Sequence, residues 1–230
     1  MEDPVTAAAT ALQAPIGGDL LEITLLSLVV SGSATLISLV IGLPLGTWLA
    51  LTRFRSRGLA LSVVNTGMAL PPVVVGLFVA FMLWRSGPLG GLGLIYTPTA
   101  IVIAEVIIAA PIVVGLTVAA LGQLDPRLRL QLLGLGASRI QMVWWLWREA
   151  RLPLLAALMA AFGSVISEVG AAMMVGGNIR HETRVLTTAI VLETGKGEFA
   201  AALGLGVVLL ALAFVVNAIL TRAQQAGPGR

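Results

Sequence analysis

The stretch DPRLRLQLLGLGASRIQMVWWLWREARLP at residues 125–153 is patterned as two short helices between two strongly apolar parts of the chain. Asp125-Pro126 is typical of a helix start, because aspartate caps helices and proline is tolerated at the first position. Gly136-Ala137-Ser138 interrupts the leucine-rich pattern, and Ser138 is a second N-cap candidate. Leu152-Pro153 marks the start of the next long helix. The sequence therefore predicts a helix-elbow-helix unit here.

The rest of the chain is too apolar for a soluble protein. Of its 230 residues, 58% are hydrophobic and 11% are charged, and the mean hydropathy is +1.00. Ordinary globular chains have about 25% charged residues. We therefore predict an integral, multi-pass membrane protein. The absence of cysteine and the single histidine argue against disulfides, metal sites and histidine relays.

Charge-free runs give the positions of the membrane spans, because a span needs about 20 mostly apolar residues. Three runs contain no charge, and two more are each interrupted by one carboxylate, Glu105 or Glu168. We predict five spans near residues 25–51, 59–84, 98–121, 152–176 and 199–220.

The distribution of basic residues predicts the orientation. One side of the membrane would hold ten of the 14 arginine and lysine residues, and the other side would hold four. Because basic residues accumulate on the cytoplasmic side, the N-terminus is predicted outside and the C-terminus inside. Residues 1–19 then form a flexible extracytoplasmic tail, 122–151 a cytoplasmic loop, 177–198 an outer loop and 223–230 a cytoplasmic tail.

The elbow, followed by Leu152-Pro153, resembles the cytoplasmic "EAA" loop of type I ABC importer permeases. The loop departs from the family pattern in two ways: Leu130, Gln131 and Leu132 replace Glu-Ala-Ala, and the elbow glycine lies 17 residues before the proline. That spacing is about four residues, or roughly one helical turn, longer than the common pattern. From composition alone, two amphipathic helices lying on the lipid surface are an equally good interpretation.

Two further blocks narrow the resemblance. The run from Leu70 to Gly76, LPPVVVG, resembles the Leu-Pro-Pro stretch of molybdate, sulfate and tungstate permeases. The blocks 168–179 and 183–197 are most similar to the tungstate branch. The resemblance implies an all-α transmembrane domain over 20–222 that acts as the permease subunit of an oxyanion importer in the plasma (inner) membrane. Tungstate is the expected substrate, with molybdate or sulfate as alternatives.

The resemblance also implies partners. These are a second copy of the chain in a homodimer, two cytoplasmic ATP-binding cassette subunits and an extracytoplasmic oxyanion-binding protein, all assembled at the lipid bilayer; no nucleic acid is expected. The chain lacks a G-x-x-x-x-G-K-[ST] loop, so ATP and Mg²⁺ would bind the ATPase subunit, and this chain would bind no cofactor and have no catalytic residues. Two alternative functions belong to other classes of protein. The chain could be a membrane anchor of another complex, or it could be an ion channel, although the sequence lacks a run that resembles a selectivity filter.

Three groups of residues are candidates for function. The first is the elbow, which the resemblance assigns to ATPase docking: Leu132, Gly136, Ala137, Ser138, Arg139 and Ile140. The second would line the pathway or its gate, because prolines and a carboxylate interrupt apolar spans: Pro71, Pro72, Glu168, Gly170, Met173 and Met174. The third offers donors to an entering oxyanion: Asn178, Arg184, Thr187 and Thr188.

Each group has a structural alternative. Glu168 could instead lock helices together as a hydrogen-bonded acid, which is also our main interpretation of Glu105. Pro71-Pro72 could be a packing kink, and Arg184 a solvated loop arginine or a contact to the binding protein. His181 is predicted to be a solvated loop histidine.

Overall fold

The computed structural model describes residues 18–225, which are all-helical, with no β-strand in that range. The all-α prediction is therefore confirmed. One 3₁₀ turn lies at Gly90–Leu92. The helices are α1 (Leu20–Leu51), α2 (Arg57–Met68), α3 (Pro72–Leu83), α4 (Pro98–Gly122), α5 (Pro126–Gly134), α6 (Arg139–Glu149), α7 (Arg151–Ile166), α8 (Gly170–Gly176), α9 (Leu186–Lys196) and α10 (Phe199–Gln225).

Three helices, α1, α4 and α10, are long and apolar enough to cross a membrane. Two further pairs qualify only when both members are taken together, and both are bent: α2 and α3 by 97°, and α6 and α7 by 74°. By length and composition, the described residues thus contain three candidate spans, or up to five if each bent pair is one span. The predicted segment 152–176 is also interrupted, because α7 ends at Ile166 and α8 begins at Gly170.

The bend between α2 and α3 follows from Pro71-Pro72. Neither proline has a backbone N–H, and a residue that precedes proline is pushed out of the α region. Helix α2 ends at Met68, Pro71 is extended with ψ 121°, and Pro72 is the first residue of α3. The structure therefore shows a complete break of this predicted span, in which each half has 12 residues.

Helices α1 and α4 form the centre of the fold and touch closely through glycine. A Cβ added to Gly42 would lie 2.7 Å from the Cβ of Val113, and one added to Gly46 would lie 2.6 Å from the Cβ of Thr117. Small residues at such crossings let helix backbones approach in the membrane, where close packing drives association. These two glycines therefore have the packing role that is usual for glycine in membrane helices.

The beginning of α1 is tied to the segment that follows α8. The Nε of Arg180 donates to Oδ2 of Asp19 at 2.6 Å, and Nδ1 of His181 lies 2.8 Å from Oε2 of Glu22. Helix α1 starts five residues before the predicted span, at Leu20, and the residue before it, Asp19, is ion-paired with Arg180. Asp19 therefore does not belong to a flexible tail, and His181 has a partner. The remainder of that tail, residues 1–17, lies outside the described residues.

The other end of the chain extends further as helix than its predicted boundary. Helix α10 continues to Gln225, three residues beyond 222, and residues 226–230 lie outside the described part.

Candidate functional site

Both helices of the elbow unit, residues 125–149, begin at the predicted caps. The backbone N–H of Arg127 donates to Oδ1 of Asp125 at 2.8 Å. Ser138 and Gln141 form a reciprocal capping box, with Gln141 N–H to Ser138 Oγ at 3.3 Å and Ser138 N–H to Gln141 Oε1 at 2.8 Å. Because these bonds satisfy donors at the helix starts, the local sequence alone defines where α5 and α6 begin.

The turn between the two helices requires glycine at Gly136, whose φ is +82°. Its N–H donates to the carbonyl of Leu133, and the N–H of Ala137 donates to the carbonyl of Leu132, both at 3.0 Å. A left-handed residue that closes a helix in this way is usually glycine, because other side chains are strained there. A Cβ at Gly136 would meet no atom within 4 Å, so this turn projects into open space.

The unit is fixed to the membrane domain on its inner side. Met142 and Leu146 of α6 are buried in a cluster with Leu121 at the end of α4, and Leu132 packs on that cluster half-buried. Two hydrogen bonds reach α1: Trp147 Nε1 to Thr47 Oγ1 at 2.8 Å, and Arg129 Nη1 to the Leu51 carbonyl at 2.9 Å. A movement of the elbow unit would therefore be transmitted to α1 through these two hydrogen bonds.

The side of the elbow unit that faces away from α1 and α4, called its outer side below, is apolar and exposed. Ile140 is 84% exposed, Leu135 85% and Leu130 69%. Of the predicted docking residues, Gly136, Ser138 and Ile140 are exposed, Ala137 is half-buried and Leu132 faces inward. Arg139 is exposed as well, but it lies beside the end of α1. Sequence reasoning missed Leu130 and Leu135, although a leucine where the family has an acidic residue was a signal.

The pathway candidates lie in two parts of the chain, at 71–72 and at 168–174, and these parts meet where α3 crosses α8. A Cβ added to Gly76 would lie 2.6 Å from the Cα of Ala171, and one added to Gly170 would collide with the side chain of Val73. Val73 follows the Pro71-Pro72 break directly. The structure thus brings both broken spans together through glycine contacts.

Glu168 is the hinge residue of the second break. Its Oε1 accepts from the Ala171 N–H at 3.0 Å and so caps α8, while its carbonyl accepts from Thr187 Oγ1 at 2.8 Å. The side chain is half-buried. The carboxylate of Glu168 thus bonds locally, while the link to Thr187 of α9 is made by its backbone carbonyl. Glu168 stays a pathway candidate because it lies at the break.

The other pathway candidates differ in their surroundings. Pro71 and Met174 are exposed, and Pro72 and Met173 are half-buried. Glu105 lies deeper, in the middle of α4, where it is 2% exposed and its Oε2 has no hydrogen-bond partner within residues 18–225.

The outer donors are mostly bonded to each other and to the backbone. Thr188 Oγ1 accepts from the Val185 N–H at 3.1 Å and donates to the Val185 carbonyl at 3.0 Å. The half-buried Arg184 donates from Nε to Asn178 Oδ1 at 3.2 Å. Thr187 is likewise buried and bonded to Glu168. The predicted donors are therefore close together, and they hold the outer segment in shape.

Thr183 is a residue that sequence reasoning missed. It is fully buried, it accepts from the Ile179 N–H at 2.9 Å, and its hydroxyl donates to the Gly176 carbonyl at the end of α8. Nothing in its sequence context distinguishes it from the neighbouring threonines.

Within residues 18–225, one group of possible metal ligands lies beside the start of α1. Asp19, Glu22 and His181 place their ligand atoms within 4.8 Å of one another. Because Asp19 is ion-paired with Arg180 and His181 is hydrogen-bonded to Glu22, the possible ligand atoms already have protein partners. We assign no metal site to them.

The family described as "Binding-protein-dependent transport system inner membrane component" matches residues 42–226. A probable anion ABC transporter permease protein of Haloferax volcanii is 40% identical over 92% of this chain and 93% of its own length. The tungstate uptake system permease protein TupB of Peptoclostridium acidaminophilum is 38% identical over 88% of this chain and 89% of its own. The molybdenum transport system permease protein ModB of Escherichia coli K12 is more distant, at 30% identity over 83% and 87%.

The fold is shared with a solved ABC importer. A chain of the inward-facing MetNI methionine ABC transporter superposes with a TM-score of 0.75 over 93% of this chain and 98% of that chain. At 19% sequence identity this likeness concerns the fold. The elbow unit and the broken helices therefore belong to a fold that is known from a solved structure.

Proposed function

The chain belongs to the family of binding-protein-dependent transport system inner membrane components, and from that premise we propose that it is the permease subunit of an ABC importer for tungstate. The observation that carries the importer role is the elbow unit. Its inner side is hydrogen-bonded to α1, while its outer side presents exposed Leu135 and Ile140 around an open glycine turn. Exposed apolar patches of this kind are typical of protein-binding surfaces.

Tungstate is favoured over other oxyanions by the relatives. A tungstate permease is 38% identical over 88% of the chain, against 30% over 83% for a molybdenum permease. Molybdate has the same charge and a similar tetrahedral shape, so it is the competitor that the experiment must include.

Uptake by the reconstituted complex tests this function. The chain would be placed in vesicles with its ATPase subunit and the binding protein, and ATP-driven uptake of tungstate would be measured against excess molybdate or sulfate. We expect molybdate and sulfate to compete poorly. If molybdate is taken up as fast as tungstate, tungstate specificity is wrong. If the chain does not co-purify with any P-loop ATPase, a membrane anchor of another complex is the better assignment.

We infer a symmetric assembly of two copies of this chain, two ATPase subunits that hold ATP and Mg²⁺, and a binding protein on the outer side. In this arrangement the N-terminus is outside and the elbow is cytoplasmic, which agrees with the excess of ten basic residues over four. The placement in the plasma membrane follows from the family.

Cysteine labelling tests the orientation, because the chain has no native cysteine. Glu182 is exposed in the outer segment and Gln131 is exposed in the elbow unit, so both positions are accessible from their own side. An impermeant thiol reagent should label Glu182→Cys in intact cells and Gln131→Cys only after permeabilisation. The opposite pattern would reverse the topology. Thr187 is unsuitable for this test because it is buried.

We further infer a route by which ATPase movement reaches the pathway. Helix α6 passes into α7 through a 74° bend, α7 ends at the Glu168 break, and α8 then packs on α3. Closure of the ATPase pair would rotate the elbow unit, and this chain of contacts would shift the two breaks against each other. Glu168 and the Pro71-Pro72 break are therefore our candidates for the gate.

A further inference from the structure

A cavity of about 610 Å³ lies between the end of α1 and the elbow unit. Helix α1 contributes Pro44, Thr47 and Trp48 to its wall, and α5 and α6 contribute Arg129 and Arg139. Ligand-binding clefts in proteins commonly enclose about 300–1,000 Å³. The space is therefore large enough for part of an amphipathic molecule.

The cavity is built by the fold and is not a gap between loosely placed elements. Trp147, which lines it, donates to Thr47 on the opposite wall at 2.8 Å. Arg129 donates to the last residue of α1, Leu51, at 2.9 Å. These two bonds hold the elbow unit at a fixed distance from α1, and the cavity lies between them.

All charged residues that line the cavity are positive. Arg129 and Arg139 are its charged lining residues, and no carboxylate lines it. Neither arginine takes part in the ion pairs found within residues 18–225. Arginine forms forked hydrogen bonds that match phosphate oxygens, so an anionic group of the phosphate type is the natural complement.

The residues around the cavity are of the kinds found where membrane helices meet water. Helix α1 is the longest apolar helix in the described part, and the cavity lies at its last turns. Trp48 is 53% exposed and stacks on Phe54 at a ring distance of 5.0 Å. Exposed tryptophan and arginine together are typical of the headgroup level. The apolar part of the lining then faces the hydrocarbon edge.

From the cavity, its two arginines and its depth we propose that it binds an anionic phospholipid. The phosphate lies between Arg129 and Arg139, and the first part of an acyl chain lies along Pro44 and Trp48. Basic pockets between membrane helices are known to bind lipid headgroups, and a zwitterionic lipid lacks the net charge that two arginines favour. The bound lipid would join the elbow unit to the bilayer independently of which anion is transported.

The test measures lipid binding directly, with the full-length chain purified in detergent and a fluorescent phosphatidylglycerol as probe. The double variant Arg129→Gln/Arg139→Gln should weaken binding by about 30-fold, since each arginine contributes roughly a fivefold gain. Val143→Trp enlarges a lining side chain without changing any charge, so it narrows the cavity and should also weaken binding. Unchanged thermal unfolding would show that both variants are folded.

The matched control is Arg127→Gln/Arg148→Gln, which removes the same charge from exposed positions on the same two helices outside the cavity. It should bind phosphatidylglycerol as the parent does, and phosphatidylcholine should bind the parent at least tenfold more weakly. Equal losses in both double variants, or normal binding by Val143→Trp, would overturn the site. Displacement of the lipid by millimolar inorganic phosphate would also overturn it, because the cavity would then hold a free anion.

Discussion

The elbow unit and the outer segment 177–198 use similar polar residues in opposite ways. In the outer segment, Thr187 and Thr188 are buried and bonded to backbone atoms, and Arg184 is bonded to Asn178. In the elbow unit, polar bonds are confined to the caps and the inner side, while Ile140 and Leu135 are exposed. The first region satisfies its own groups and the second leaves an apolar surface uncovered.

This difference suits the two regions to different roles: the outer segment to stabilising the fold, and the elbow unit to binding a partner. A donor that is already bonded within the chain has to give up that bond before it can bind an anion, which costs free energy. An exposed apolar side chain gains free energy when any surface covers it. The elbow unit is therefore the stronger candidate for a contact surface, and the outer segment is the stronger candidate for a structural element.

The largest effect is expected for Gly136→Trp. Tryptophan at a φ of +82° is strained, and its ring would occupy the open space at the tip of the elbow. We expect loss of ATPase pull-down and of anion-stimulated ATP hydrolysis by more than about tenfold, a change of roughly 1.4 kcal/mol or more. The spans should still insert, because Gly136 lies in the turn before α6 and is outside every candidate span.

Gly58→Trp is the matched control for that experiment. Gly58 is also in open space, near the start of α2, but it is not in the elbow unit. It should retain ATPase binding. If Gly136→Trp binds and stimulates the ATPase normally, the elbow is a lipid-surface turn and the contrast between the two regions fails.

Thr188→Val tests whether the outer segment is structural. Valine has nearly the same shape but leaves the Val185 N–H without its acceptor in a fully buried position. An unsatisfied buried donor costs about 1–3 kcal/mol, so thermal unfolding in detergent should occur at a clearly lower temperature. Thr194→Val on the same helix is the control, because Thr194 is exposed. Equal stability of the two variants would contradict the structural role.

Glu168 links the outer segment to the break, and two substitutions separate its roles. Glu168→Gln keeps an oxygen that can accept from the Ala171 N–H, so stability should be unchanged. Glu168→Leu removes the cap and should cost about 0.5–2 kcal/mol. If the carboxylate acts in the gate, tungstate uptake by Glu168→Gln should fall severalfold in the assembled complex. Normal uptake by that variant would leave Glu168 only its capping role.

The smallest effect is expected at the outer ion pair. The hydrogen bond from Arg180 holds the pKa of Asp19 below its ordinary value of 3.8, partly opposed by desolvation. A lowered pKa means that the stabilisation is present above pH 3.8 and is lost as the pH falls through the lowered pKa. Asp19→Asn should therefore unfold at a slightly lower temperature than the parent at pH 7, and the difference in unfolding temperature should shrink below pH 3.8. Glu182→Gln, which replaces an exposed carboxylate outside the salt bridges found within residues 18–225, is the control substitution.

Features that depend on a few neighbouring residues were predictable from the sequence. Asp125-Pro126 and Ser138 start helices as expected, since a cap needs only a side chain and an N–H two or three residues away. The break at Pro71-Pro72 follows from the missing backbone donors. The elbow glycine was identified by its place between two helical patterns.

Features that depend on distant residues were not predictable. The bond from Trp147 to Thr47 joins residues 100 positions apart, and the bond from Thr187 to Glu168 depends on a helix break whose angle no local pattern encodes. The donors of the outer segment were correctly recognised as polar, but their partners appear only once the chain is folded. For the same reason the cavity beside Arg129 and Arg139 has no sequence signature.

The 97° break between α2 and α3 has a consequence for the surrounding bilayer. Each half has 12 residues and is about 18 Å long, whereas the hydrocarbon core is about 30 Å thick. At nearly a right angle, the pair reaches less far across than one straight helix of the same length, and no residue of α2 is buried within the described chain. If the pair crosses the bilayer as one span, it is too short for the hydrocarbon core, and lipids relieve such hydrophobic mismatch by local thinning. Transport should therefore have an optimum in acyl chain length, and it should fall in membranes too thick to thin beside α2.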